Sequence, residues 1–199
     1  MTMPVPRGLM IAGWCVLVSA ALIAQQPAPA PQRAADATTG LTLSQIEKPS
    51  TDSWPTYNGD YSGRRFSTLT RINAANVKNI SLAWLYDLPA AGTIKATPLQ
   101  VGGVLYFTTP NHVYAADART GQELWHFTFA RSRGGIQIGN RGVAILGNTV
   151  YFTTTDCNLV ALDIKTGAEK WAKEFCSLEM VYYGSVAPVV VKDTGCGGV

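Results

Sequence analysis

The sequence predicts an all-β fold, a β-propeller of four-stranded blades that is incomplete in this chain, and three observations carry the prediction. Two segments recur in the same order, each copy alternates with the two-residue period of a strand, and each copy turns on a Thr-Gly pair. Gly103-Val-Leu-Tyr-Phe-Thr-Thr109 matches Asn148-Thr-Val-Tyr-Phe-Thr-Thr154, and Ala115-Ala-Asp-Ala-Arg-Thr-Gly121 matches Ala161-Leu-Asp-Ile-Lys-Thr-Gly167. Tyr106 and Tyr151 stand 45 residues apart, and the closing tryptophans, Trp125 and Trp171, stand 46 apart.

Within each copy the alternation predicts four strands, over roughly 98–101, 104–109, 113–117 and 122–127, then 143–146, 149–154, 159–163 and 168–175. Thr120-Gly121 and Thr166-Gly167 supply glycines that accept the positive φ of a tight turn. Four antiparallel strands every ~45 residues form a propeller blade, whose faces are covered only by neighbouring blades. Leu82-Ala-Trp84 reads as the outer strand of a preceding blade and Ala187-Pro-Val-Val-Val191 as the first strand of a third, giving about two complete blades and two partial ones. The last residues, Asp193-Thr-Gly-Cys-Gly-Gly-Val199, do not continue the alternation and read as a disrupted end.

Ahead of the blades, residues 1–24 read as a signal peptide. One Arg precedes the apolar run Gly8 to Ala24, small residues at Ser19-Ala20-Ala21 offer a cleavage site, and Gln25-Gln26-Pro27 ends the run. The chain is therefore expected to be exported to the periplasm or secreted, with an uncleaved N-terminus as the route to membrane association. Residues 25–50 read as a flexible Ala/Pro/Gln/Thr-rich linker, and 51–199 as the propeller blades, with folding starting near Thr51. The 199 residues are 47% hydrophobic and carry a net charge of +3 without a basic run, which argues against nucleic-acid binding.

The spacing Ala-x-Asp-x-x-Thr-Gly-x-x-x-Trp, present as Ala115 to Trp125 and as Ala161 to Trp171, resembles the tryptophan-docking repeat of dehydrogenases that use pyrroloquinoline quinone (PQQ). The segment Trp54 to Ser67 with Ile72 to Val77 resembles the opening of the same propeller, so the resemblance covers about residues 52–193. It implies an eight-bladed propeller with PQQ and calcium or another metal on its axis, a small-molecule alcohol or sugar as substrate, and a separate electron acceptor. The family's metal-binding Glu and Asn and its catalytic-base Asp would fall beyond Val199, so no catalytic or metal residue is assigned, and these 199 residues alone are expected not to turn over. A non-catalytic propeller of the same repeats, acting as a binding or assembly scaffold, is the alternative.

Lys95, Asn140 and Ser185 are each 45 residues apart and each precedes the innermost strand of its blade, so they should ring one mouth of the central channel. Asn140-Arg141-Gly142 resembles the family segment whose arginine contacts PQQ; the other reading of Arg141 is a solvated loop arginine. The resemblance thus assigns cofactor binding to Arg141, Asn140, Ser185 and Lys95, with three departures. Lys95 stands where the family usually has a Glu, Gly135-Ile136 replaces an adjacent cysteine pair, and Ser185 replaces a threonine. The tryptophans read as core, and His112 as a solvated or capping residue in a turn with no second ligand at metal spacing. The glycine-rich stretch Gly134 to Gly139 precedes no helix and is not a nucleotide loop.

Cys157 and Cys176 flank the hairpin symmetrically, with their midpoint between Thr166 and Gly167. They should face one another across two antiparallel strands and form a disulfide in an oxidising compartment, the alternative being two buried thiols. Cys196 is then left unpaired.

Overall fold

Alternating β-branched and aromatic residues build two antiparallel sheets of four strands each. A computed structural model describes residues 40–88, 93–133 and 139–192, and the backbone of 194–196. The signal-peptide reading, Gly135-Ile136 and most of the linker lie outside the described residues. The first blade is β1 (Leu99–Val101), β2 (Val104–Thr109), β3 (His112–Asp117) and β4 (Glu123–Thr128), paired in that order. The second is β5 (Ala144–Leu146), β6 (Thr149–Thr153), β7 (Asn158–Asp163) and β8 (Glu169–Glu174). A third begins at β9 (Val189–Val191), which lies beside β5 and pairs with β10 (Thr194–Cys196).

The pleat sorts the side chains. Tyr106, Ala115 and Trp125 pair across β2, β3 and β4 and are buried, as are Val104 and Val113 beside them. Phe127 on the same face meets Phe152 of the second blade edge-on at 5.9 Å. Apolar surface is thus removed from water mainly between blades, which is how a propeller obtains its core.

The repeated Asp-x-x-Thr-Gly is a turn whose chemistry is local. Asp117 Oδ1 accepts from the backbone N–H of Arg119 and Thr120 and from Thr120 Oγ1, at 2.9, 2.8 and 3.0 Å. Asp163 Oδ1 does the same with Lys165 and Thr166, at 3.0, 3.1 and 3.2 Å. For both carboxylates burial opposes the charge, but these hydrogen bonds outweigh it and hold the pKa below the ordinary aspartate value. Because the folded pKa lies below the unfolded one, the stabilisation is complete above the unfolded value of about 4 and is lost as pH falls through the folded pKa. Thermal midpoints measured from pH 6 to pH 2 should therefore fall on acidification, and less steeply in Asp117→Asn/Asp163→Asn; an identical slope would refute this origin.

The glycine completing each turn receives a tryptophan from earlier in the chain, Trp84 ahead of the first blade and Trp125 from β4. A Cβ on Gly121 (φ +73°) would lie 2.6 Å from the ring of Trp84, and one on Gly167 (φ +69°) would lie 2.5 Å from that of Trp125. Trp84 Nε1 donates to Ala118 O at 3.3 Å and Trp125 Nε1 donates to Ile164 O at 3.0 Å. Only glycine leaves room for the ring, so the Thr-Gly of one blade and the Trp from earlier in the chain form a single contact.

Several expectations need correction. The described fold reaches back at least to Leu41, ahead of Thr51: Leu41 bridges Gly147, and a short helix, α1 (Leu43–Glu47), is closed by a Thr42/Gln45 capping box and buries Ile46. Five residues are too few to display helical periodicity. Residues 81–88 form no ladder, although Trp84 docks as an outer strand would. Thr194–Cys196 does continue the sheet against β9, through backbone pairing that a glycine-rich stretch does not advertise by alternation. Trp171 is 39% exposed rather than core, because among the described residues no following Thr-Gly turn covers it.

Candidate functional site

Lys95, Asn140 and Ser185 each stand four residues ahead of the innermost strand of their blade, β1, β5 and β9. The sequence repeat is thus a spatial one, but the residues do different work. Asn140 is buried, with its Oδ1 accepting from Thr108 Oγ1 of β2 and its Nδ2 donating to Thr153 O of β6 at 2.9 Å. Its amide joins the two blades directly beside Arg141. A buried side-chain amide left without partners is costly, so its two bonds also stabilise the blade interface.

Arg141 extends into solvent and Nη1 donates to Ser185 O at 3.1 Å and to Ser185 Oγ at 3.2 Å. Thr153 Oγ1 donates to Val186 O at 2.6 Å, fastening the segment that carries Ser185 to the second blade. On the other side Thr97 N donates to Arg141 O at 3.3 Å, so the inner segments of adjacent blades are joined at this rim. Lys95 is exposed and makes no hydrogen bond or ion pair with the described residues. Arg141 also borders a recess of about 390 Å³ walled by Ile46, Tyr57, Val143, Ile145 and Pro188.

The rim therefore carries the exposed Arg141 guanidinium beside the Ser185 hydroxyl, with the exposed Lys95 two residues from Thr97, whose N–H meets Arg141 O, and apolar surface alongside. PQQ is a planar quinone bearing carboxylates, and this donor set fits it: Arg141 supplies a planar fork of N–H groups, and Lys95 a compact cation. Replacing a Glu by Lys95 reverses the charge at that position in the sense that favours a carboxylate. Among the described residues no group of three or more His, Cys, Asp or Glu side chains could hold a metal.

The cysteines meet, but not as directly opposed residues. The ladder pairs Asn158 with Glu174, and Phe175 N donates to Cys157 O at 2.9 Å, so Cys176 lies one step beyond the residue opposite Cys157. A bulge between Ala161 and Leu162 shifts the register by one and brings Cys176 from two steps to one step off the residue facing Cys157, which takes a positive φ of 71° and turns the chain just ahead of β7. The two are joined in a disulfide with Cα atoms 5.1 Å apart.

His112 has a partner that the sequence did not reveal. Cross-strand pairing of Tyr114 with His126 and of His112 with Thr128 brings His112 Nδ1 within 3.0 Å of His126 Nε2. The two are 14 residues apart, outside any linear ligand spacing, and only the β3–β4 register unites them. The ring of Trp84 closes the first blade against Gly121, a role its place in an expected outer strand does not disclose; its 41-residue distance from Trp125 is the signal that it belongs to the same series.

Residues 54–177 match the family described as glucose/ethanol/alcohol dehydrogenase, PQQ β-propeller domain. A quinohemoprotein alcohol dehydrogenase of Comamonas testosteroni is 42% identical over 127 residues, 61% of this chain and 18% of that protein. The 1-butanol dehydrogenase (cytochrome c) of Thauera butanivorans is 34% identical over 168 residues, covering 81% and 24%. Among solved structures, the Comamonas testosteroni enzyme superposes with a TM-score of 0.67 at 33% identity, over 80% of this chain and 26% of that one. A europium-containing methanol dehydrogenase gives 0.68 at 31% identity, over 77% and 28%. The chain thus spans about a quarter or less of the length of these curated relatives. Two docked tryptophans, the Asp-x-x-Thr-Gly turns they cover and the match over residues 54–177 place this chain in the PQQ dehydrogenase β-propeller family.

Proposed function

We infer that this chain supplies blades to a PQQ-dependent dehydrogenase that oxidises alcohols or sugars and passes the electrons to a separate acceptor. The observation carrying this reading is the exposed Arg141 guanidinium, tied through Nη1 to Ser185 O and Oγ at the rim. When bound, PQQ would supply a hydride acceptor, and a metal beside it would polarise the quinone. This chain's own residues would bind and orient it: Arg141 and Lys95 through its carboxylates, Ser185 through its hydroxyl, and Asn140 by fixing the backbone that carries Arg141. The signal-peptide reading of residues 1–24 supports export to the periplasm, where disulfides persist.

The test is titration of the full chain with PQQ, followed by quenching of tryptophan fluorescence. Saturable binding should weaken about tenfold or more in Arg141→Ala, in line with loss of a charge-assisted pair, and by a smaller factor in Lys95→Ala. Equal affinity in the wild type and both variants, or no saturable binding, would favour the scaffold reading.

A further inference from the structure

The corner of each blade where β3 or β7 begins and β4 or β8 ends is closed differently in the two blades. In the second, Cys157 and Cys176 close it covalently. The equivalent backbone bond in the first runs from Phe129 N to Asn111 O, as Phe175 N donates to Cys157 O, but no cysteine stands there. Three side-chain heteroatoms converge at that corner instead. His112 Nδ1 lies 3.0 Å from His126 Nε2, and Thr128 Oγ1 lies 3.1 Å from the first and 3.4 Å from the second.

We propose that His112, His126 and Thr128 form a binding site for a divalent transition cation of the zinc, nickel or copper class, closing the first blade where a disulfide closes the second. Ligands held ~2.1 Å from one cation at angles between those of an octahedron and a tetrahedron stand roughly 3.0–3.4 Å apart, the range these three atoms span. Imidazole nitrogen suits these cations, and the threonine hydroxyl is a weaker neutral ligand. The rings are constrained from behind: Tyr114 stacks on His126 at 4.3 Å between centroids and an interplanar angle of 13°, and on His112 at 6.1 Å and 16°. Both histidines are partly exposed and Thr128 is exposed, so water can fill the remaining positions and the ion can exchange. The site lies on β3 and on β4, the outer strand, and is independent of the rim at Arg141.

The chain contains only two histidines, which makes the test clean. Untagged full-length chain with its free thiols alkylated is titrated calorimetrically with zinc and with copper(II), and the copper complex is studied by electron paramagnetic resonance. One equivalent should bind, the copper spectrum should show coupling to two nitrogens, and His112→Gln and His126→Gln should each weaken binding at least tenfold. Thr128→Val should weaken it by a smaller factor. Absence of a saturable equivalent, a spectrum without two nitrogen ligands, or undiminished affinity in His126→Gln would overturn the site. If a variant fails to fold, the wild-type spectrum decides.

Discussion

Replacing Trp125 by alanine should destabilise the chain by about 3–5 kcal/mol, the range for loss of a large buried aromatic, whereas Trp171→Ala should cost less than about 1 kcal/mol. The two occupy the same place in the repeat, each beside a tyrosine with ring centroids 6.0 Å apart. Their difference is the neighbour. Trp125 is 8% exposed, covers Gly167 and donates to Ile164 O, while Trp171 is 39% exposed with no turn across it among the described residues. A double-mutant cycle separates packing from backbone strain. Gly167→Ala would place a methyl 2.5 Å from the Trp125 ring at a φ of +69°, so it carries both a steric and a conformational penalty. In the Trp125→Ala background only the conformational part, about 1 kcal/mol, should remain. Chemical denaturation of the four proteins checks this, and simple additivity would refute the docking contact.

Reduction of the Cys157–Cys176 disulfide should lower stability by about 3 kcal/mol, the loop-closure value for a cross-link spanning about twenty residues. The bond joins the start of β7 to the residues just past β8, with a sequence separation of 19. For a chain of this size the loss corresponds to a fall of roughly 6–12 °C in the thermal midpoint. Dithiothreitol and the Cys157→Ala/Cys176→Ala variant should produce the same fall. An unchanged midpoint in both would show that the cross-link adds nothing to the β7–β8 hairpin.

Most of the strand map was legible because alternation and turn chemistry are local. Val104 to Thr109 reads as a strand on its own residues, and Asp163 needs only Lys165 and Thr166 to close its turn. What escaped was either too short for a period, as with α1, or devoid of side-chain pattern, as with Thr194–Cys196. The site was legible as a position more than as a set of roles. Three residues at 45-residue spacing do precede the three inner strands, yet Asn140 is engaged inside the blade interface while Arg141 beside it faces solvent.

The sequence by itself determined the repeat, the blade strands, the Asp-x-x-Thr-Gly turns and the family, since each depends on residues within one blade's length of chain. Only the tertiary structure decided which residues are neighbours. The β7–β8 register leaves Cys176 one step off the residue facing Cys157, a bulge beyond Ala161 having already brought it one step nearer, and the β3–β4 register sets His112 against His126. Packing of one blade on the next buries Trp125 and leaves its counterpart Trp171 open. Those outcomes arise from pairing register and from contact between blades, and neither is encoded in the residue that undergoes it.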